Sequence, residues 1–491
     1  MRTLNRRAAA RREFIAADHI PYVAHVAPHV VRTKFGDYLQ TFRLGGASFE
    51  TSDDEELNNW HERLNALWRN IATPRVALWA QVVRRRAPIL GPEDCASSAS
   101  RDGPSAASRP CHFADHLQRR YRRRIHDETL MQNEIYLSVV YRPLAGLAAG
   151  WMSRALAGTQ RHGSDLELAD ALDACEKISQ TLSASLVRYE PEPLGCYRHG
   201  ATWCSSLLEY LGLLINAEWQ RIPLSRRPVN EVLASGRLLF GTETIEYRTP
   251  AETRAGAMLG IKEYPTPTTV GMYNQLLSAP LSFVLTQSFV FLTKATGQAL
   301  LQRQFNRMAN AGDFAVSQAA ELKDALDALT SNEFVMGDHH FSLQLLADLP
   351  DVAAASNAGR LKRLNDDVAL ARSLLADTGM LVAREDLALE AAFWAQLPGN
   401  FPMRPRKAPI TSRNFAAMVP FHNYPLGRSA DNHWGDALTL LVTNARSPFY
   451  FSLHAADPSD PDGGSRKDTG HTLICGPTGS GKTVFIGFLI S

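Results

Sequence analysis

The sequence predicts an α/β and α+β multidomain chain, with N-terminal mixed α/β domains followed by the opening of a P-loop NTPase domain. Three observations carry that prediction. Runs with period-two apolar alternation are interleaved with runs of period 3.6, the pattern of strands alternating with helices packed on a sheet. Hydrophobic residues make up 45% and charged residues 21% of the 491 residues, the composition of globular domains rather than of a disordered, collagenous or coiled-coil chain. Finally, Gly476-Pro477-Thr478-Gly479-Ser480-Gly481-Lys482-Thr483 matches G-x-x-x-x-G-K-[ST] at every fixed position. At about 150 residues per domain, the length first suggests three domains.

Along the chain, Val30 to Arg43 alternates around Phe35-Gly36-Asp37, a hairpin signature, and Gly45-Gly46 breaks the strand. Ser52 and Glu55 have capping-box spacing. Leu57, Trp60, His61, Leu64, Leu67, Trp68 and Ile71 then follow at helical intervals as one buried face. Val76 to Arg84 reads as a strand. Gly91 to Pro110 is Ser, Ala, Asp, Gly and Pro with almost no large apolar side chain, so it is expected to be a disordered insertion. The run Arg119, Arg120, Arg122, Arg123, Arg124 shares a helix with Leu117, Tyr121 and Ile125 and reads as a solvated helix face. Ile135 to Tyr141 is strand-like, Asp165 to Ser185 an amphipathic helix, and Leu186 to Tyr189 a candidate strand before Pro191 and Pro193.

Thr244 to Arg248, Met258 to Tyr264 and Leu281 to Phe291 read as strands, with a short helix near Met272 to Leu277. Lys294 to Met308 and Ala315 to Leu329 form an expected antiparallel helical pair across Ala311-Gly312-Asp313. Phe334 to Ala347 is a strand, Leu361 to Leu375 a helix and Met380 to Arg384 a strand. His339 and His340 fall on opposite sides of their strand, which predicts one surface and one core histidine rather than a metal pair. Leu397-Pro398-Gly399-Asn400 with Pro402, Pro405 and Pro409 marks a linker. Leu438 to Thr443, Phe449 to Leu453 and Thr472 to Cys475 are candidate strands, with a Pro/Asp/Gly loop over Asp457 to Gly464. The resulting organisation is a basic flexible arm over 1–19, an N-terminal subdomain over 20–160, a central domain over 161–400, and a linker with an incomplete P-loop domain over 401–491.

The 52 Lys+Arg against 50 Asp+Glu leave a net charge of only +2, so no global field points to nucleic acid or acidic lipid. Arginine outnumbers lysine 43 to nine, but the arginines are scattered. The basic N-terminus (Arg2, Arg6, Arg7, Arg11, Arg12) lacks the apolar core of a secretory signal. It reads as a solvated arm, with a membrane surface or a partner as the alternative. The apolar run Pro280 to Leu292 is shorter than the roughly 20 residues a bilayer requires and carries Thr286, Gln287 and Ser288. Six cysteines (Cys95, Cys111, Cys175, Cys196, Cys204, Cys475) without a CxxC pair suggest a reducing compartment. Cys196, His199 and Cys204 lack a fourth ligand at a recognised metal spacing and read as structural.

The phosphate-loop motif has the most specific chemistry. Chance alone gives ~0.02 matches in a chain this long at average residue usage, and an apolar run enters the loop while Val484 to Ile490 opens a helix. The glycines let successive backbone N–H groups curl inward around phosphate oxygens, and the helix start adds its positive end. Gly476, Thr478, Gly479, Ser480 and Gly481 would form the cradle, Lys482 would meet the β- and γ-phosphates, and the Thr483 hydroxyl would hold Mg²⁺. ATP and Mg²⁺ are the expected cofactors. A Walker-B acid and a water-positioning group, both needed for hydrolysis, are not among the residues after Lys482. No catalytic set is complete here, and the expectation is a chain truncated just after Walker A.

Collinear segments resemble one family. They are Ile20-Pro21-Tyr22, Thr33 to Tyr38, Asn133 to Leu137, Gly260 to Pro265, Thr286 to Phe289, Gln396 to Asn400 and Asn432 to Asp436, ending in the phosphate loop. Together they are similar to the N-terminal half of the CagE/TrbE/VirB ATPases of type IV secretion systems. The resemblance implies N-terminal assembly domains before a RecA-like motor, and a cytoplasmic ATPase peripherally associated with the inner membrane. It further implies a homo-oligomer, typically a hexamer, whose partners are inner-membrane and cytoplasmic components of the machine. Such a protein energises channel and pilus assembly and export of protein or DNA. Gly476, Gly481, Lys482 and Thr483 are the residues it carries over. The alternatives are a non-catalytic interaction module of the same machine and a P-loop DNA translocase. The flat charge balance does not support direct nucleic-acid binding.

Overall fold

The computed structural model describes residues 16–87, 112–143, 164–249, 253–310, 316–347, 357–430, 432, 436–453 and 472–490. The chain divides into two compact units, residues 1–84 with 133–423, and residues 85–132 with 424–491. The low-complexity stretch 91–110, the residues 311–313 and the loop 457–464 lie outside the described residues.

The strands, in chain order, are β1 (Tyr22–Ala27), β2 (Val30–Thr33), β3 (Tyr38–Leu44), β4 (Val76–Arg86), β5 (Met131–Tyr141), β6 (Pro191–Pro193), β7 (Cys196–His199), β8 (Thr202–Ser205) and β9 (Arg237–Phe240). They continue with β10 (Ile245–Arg248), β11 (Thr253–Glu263), β12 (Ser282–Phe291), β13 (Met336–Leu346), β14 (Leu381–Arg384), β15 (Ala408–Thr411), β16 (Thr439–Val442) and β17 (Pro448–Phe451). Thirteen of them form one sheet, ordered β1-β2-β3-β5-β4-β12-β13-β11-β10-β9, with β14 on β11, β15 on β13 and β6 on β3. Strands from both 20–160 and 161–400 therefore enter the same sheet. The mixed α/β class expected from the sequence stands, built on a large antiparallel sheet.

β12 is the spine. It pairs with β13 from Ser282↔Leu346 to Phe291↔Gly337 and with β4 on its other side, and all its residues are buried. Its alternate side chains serve two cores. Phe283, Leu285, Phe289 and Phe291 pack with Trp68, Phe341, Phe415 and Phe421. Val284 and Val290 face the other core, with Leu211, Trp79, Phe393 and Trp394. Burial on both faces explains one departure from expectation. His339 and His340 are both core residues, at 0% and 1% exposure, because helices and loops cover the sheet on each side. His339 lies 2.9 Å from the Tyr264 hydroxyl and 3.1 Å from Gln287 Oε1.

The helix Asp54–Ile71 buries Trp60, Leu64, Leu67, Trp68 and Ile71 as its periodicity requires, but its cap is one residue further on than the sequence suggested. Asp53, not Ser52, accepts from the Glu56 amide at 2.8 Å. A carboxylate there satisfies an orphan N–H and meets the positive helix end. Asp53→Ala is expected to lower unfolding stability by about 1 kcal/mol, read as a shift in the urea midpoint with unchanged slope.

Three further expectations are corrected. Val187–Tyr189 is a 3-10 turn rather than a strand, and Glu190 behind it takes a left-handed φ of 48° that redirects the chain into β6. Thr472 to Cys475 is in no strand and has no ladder partner among the described residues; a strand is defined by pairing, which a short apolar run cannot secure by itself. The expected linker after Leu397 is packed into the first unit. Leu397 and Asn400 are buried, Tyr22 donates to Pro398 O at 2.9 Å, and Asn400 Nδ2 donates to His19 O and Trp394 O. Pro398 and Gly399 interrupt regular structure without preventing burial, while Pro409 is accommodated inside β15.

Candidate nucleotide site

The second unit contains the helix His112–Asp127, the β16–β17 hairpin and the helix Lys482–Ile490 that follows the phosphate loop. The predicted loop residues are brought together at that helix start. Ser480 N donates to Pro477 O at 3.3 Å, closing a turn, and Phe485 N donates to Gly481 O at 2.9 Å, the first helical bond. Gly479 and Gly481 have φ of +84° and +85°, the left-handed region that glycine adopts at least cost, and a side-chain carbon built on either would meet nothing within 4 Å. Gly476 is constrained differently: a Cβ there would sit 2.6 Å from Ser480 Oγ. Glycine is thus favoured for backbone conformation at Gly479 and Gly481, while a side chain at Gly476 would require the Ser480 hydroxyl to rotate away.

Thr478 and Ser480 lie on the exposed outer run of the loop, and Thr483 is exposed in the first helical turn. Lys482 folds back, with Nζ donating to Gly476 O at 2.7 Å and to Pro477 O at 2.8 Å. The ammonium therefore sits over the loop, bonded to its own carbonyls. The curled backbone, the single lysine and the hydroxyl fit a nucleotide phosphate with its divalent cation. Among the described residues no cluster of three or more His, Cys, Asp or Glu side chains forms a separate metal site. Cys196 pairs across the β7–β8 hairpin with Ser205 and Cys204 with Tyr197, which sets the two thiols on opposite faces.

One neighbour of this site was missed by motif reasoning. Tyr121, on the arginine-bearing helix, donates to Leu440 O at 3.0 Å and packs against Phe488 of the loop helix, the rings tilted at 52° with centroids 4.8 Å apart. Arg119, Arg120, Arg123 and Arg124 are exposed on that helix, as expected of a solvated face. The Leu117-Tyr121-Ile125 stripe was the available signal, but periodicity does not reveal which element a stripe packs against. No helix among the described residues is long and apolar enough to cross a membrane.

Comparison with known proteins matches residues 192–406 to the CagE, TrbE, VirB family, component of type IV transporter system. Residues 29–148 match the type IV secretion system ATPase VirB4/TrbE, N-terminal domain. The chain is 39% identical over 485 residues to the type IV secretion system protein virB4 of Bartonella henselae, covering 98% of this chain and 57% of that protein. It is 36% identical over 487 residues to virB4 of Brucella suis, covering 97% and 55%. It is 35% identical over 494 residues to the PtlC homolog of Bordetella bronchiseptica, covering 98% and 56%. The chain thus spans a little over half the length of these relatives. With two successive family segments matched in order and relatives aligned along nearly all of its length, the chain belongs to the CagE/TrbE/VirB family of type IV secretion components.

Proposed function

We propose that this chain is the ATP-binding, VirB4-type part of a type IV secretion system, energising channel or pilus assembly and export of protein or DNA. The observation that carries the reading is the glycine-constrained loop at the start of a helix, with Lys482 folded over it. The backbone N–H groups of Thr478 to Gly481 would surround the phosphates, with Gly476 leaving room for Ser480 in the turn. Lys482 would exchange its two loop carbonyls for phosphate oxygens, and the Thr483 hydroxyl would hold Mg²⁺. Bound Mg²⁺·ATP supplies the free energy of phosphoryl transfer. The residues of this chain bind and orient it.

We place the 20–400 segments as assembly domains and 401–491 as the approach to the RecA-like fold. The protein works in the cytoplasm, peripherally on the inner membrane, as a homo-oligomer, a hexamer when assembled, beside inner-membrane and cytoplasmic components of the machine. Calorimetric titration of the 491-residue chain with Mg²⁺·ATP tests the nucleotide reading. One site per chain is expected. No heat of binding would favour a non-catalytic interaction module instead.

A further inference from the structure

The exposed side chains of the first unit include one concentration of aromatic and cationic groups away from the nucleotide loop. In the β7–β8 hairpin, Arg198 lies directly across from Trp203, and Leu224 N donates to Trp203 O at 2.8 Å, which adds Leu224 beside it. Trp203 is 56% exposed, Trp219 43% and Leu224 40%, unusual for large apolar groups. Around them Arg198, Arg221, Arg226 and Arg227 are exposed. Arg198 Nε donates to Gly200 O, and Arg221 lies 2.8 Å from His199 Nε2 and 5.9 Å over the Trp219 ring. Among the described residues none of these four arginines forms an ion pair. Between Cys196 and Leu233 the acids are Glu209, buried and bonded to the Tyr197 hydroxyl at 2.6 Å, Glu218 and Glu231.

We infer that the Trp203–Trp219–Leu224 surface with Arg198, Arg221, Arg226 and Arg227 is a docking face for an anionic lipid bilayer surface. The inference rests on the membrane-peripheral placement proposed above and assigns it to particular side chains. Surface binding of this kind combines shallow apolar insertion with attraction to anionic headgroups. Indole rings suit the interface, having an apolar body and a polar N–H. Single-stranded nucleic acid fits less well. It needs free aromatic faces along a cationic groove, whereas Arg221 already covers the Trp219 face.

The test is co-sedimentation of the 491-residue chain with phosphatidylcholine vesicles, with and without phosphatidylglycerol. Binding is expected only with phosphatidylglycerol. Arg226→Gln with Arg227→Gln should weaken it about tenfold or more, since each arginine near an anionic surface contributes several-fold. Trp203→Ser with Trp219→Ser should weaken it and abolish the blue shift of tryptophan emission on adding vesicles. These positions are exposed, so the doubly substituted chains should keep wild-type urea midpoints. If both variants bind as the parent does, the docking face is elsewhere, and this inference fails while the membrane reading survives. If the parent ignores phosphatidylglycerol vesicles altogether, the membrane reading fails and the inference with it. Loss of oligonucleotide binding in the arginine variant with vesicle binding unchanged would also overturn the lipid assignment.

Discussion

Lys482→Ala is expected to weaken Mg²⁺·ATP binding by about ten- to a hundredfold, the loss of a charge-assisted hydrogen bond set of roughly 1.5–3 kcal/mol. The fold should be unaffected. Without nucleotide the lysine bonds only Gly476 O and Pro477 O of its own loop, and those carbonyls are exposed to water. Lys482→Arg should fail as well, because a planar guanidinium does not replace a compact ammonium that has to sit among phosphate oxygens. Thr483→Ala should reduce affinity in the presence of Mg²⁺ and change little without it, since its hydroxyl acts through the cation. Titration calorimetry on the three variants checks all of this. Unchanged affinity in Lys482→Ala would remove the loop from the nucleotide site.

Acidification below about pH 6.5 is expected to destabilise the first unit by a few kcal/mol. Burial, with Arg404 adding to it, holds the His339 pKa down to about 3. Burial holds His422 to about 4 and pushes His340 well below its ordinary range. All three are neutral in the native state, while the unfolded chain protonates them near pH 6.5. Their contribution is therefore fully present above that pH and is lost as pH falls toward the folded values, by up to about 1.4 kcal/mol per unit for each histidine.

Asp37 opposes them. Burial raises its pKa to about 6, partly offset by Arg142, so the native state takes that proton first. Between about pH 6 and the model-peptide value of 3.8 it gains what roughly one histidine loses, and the net remains destabilising. Urea midpoints measured from about pH 7.5 down to about pH 5 should fall steadily below 6.5. His339→Gln, which keeps an amide near Tyr264 and Gln287, should flatten part of that slope. A midpoint independent of pH over this interval would show that the histidines are not held neutral.

Local chemistry made many elements readable in advance. The Phe35-Gly36-Asp37 turn between β2 and β3 is set by a glycine at φ +81°, and the Trp60–Ile71 stripe is buried as periodicity requires. The helical pair Lys294–Asn310 and Val316–Thr330 is antiparallel, with Lys294 Nζ on Thr330 O at 2.7 Å. Failures arose where partners decide. Leu186 to Tyr189 has strand-forming residues, yet Glu190 in the left-handed region turns the chain. One of His339 and His340 was expected at the surface, but both are buried in β13, as are Thr286, which bonds Gln81, and Ser288, which meets Arg404, on β12. Alternation reports two faces; it does not report that both are covered.

By itself the sequence determined the phosphate loop, because its glycine positions and the lysine–threonine pair follow from backbone conformation and charge within eight neighbouring residues. It likewise determined the alternation of strands and helices, which depends on side-chain period alone. Only the tertiary structure decided that segments from both halves of residues 20–400 share one sheet, and that His339 and His340 both lie inside it. Those facts depend on which surfaces meet, and long-range contact is set by the burial of whole faces against one another, a quantity no local pattern contains.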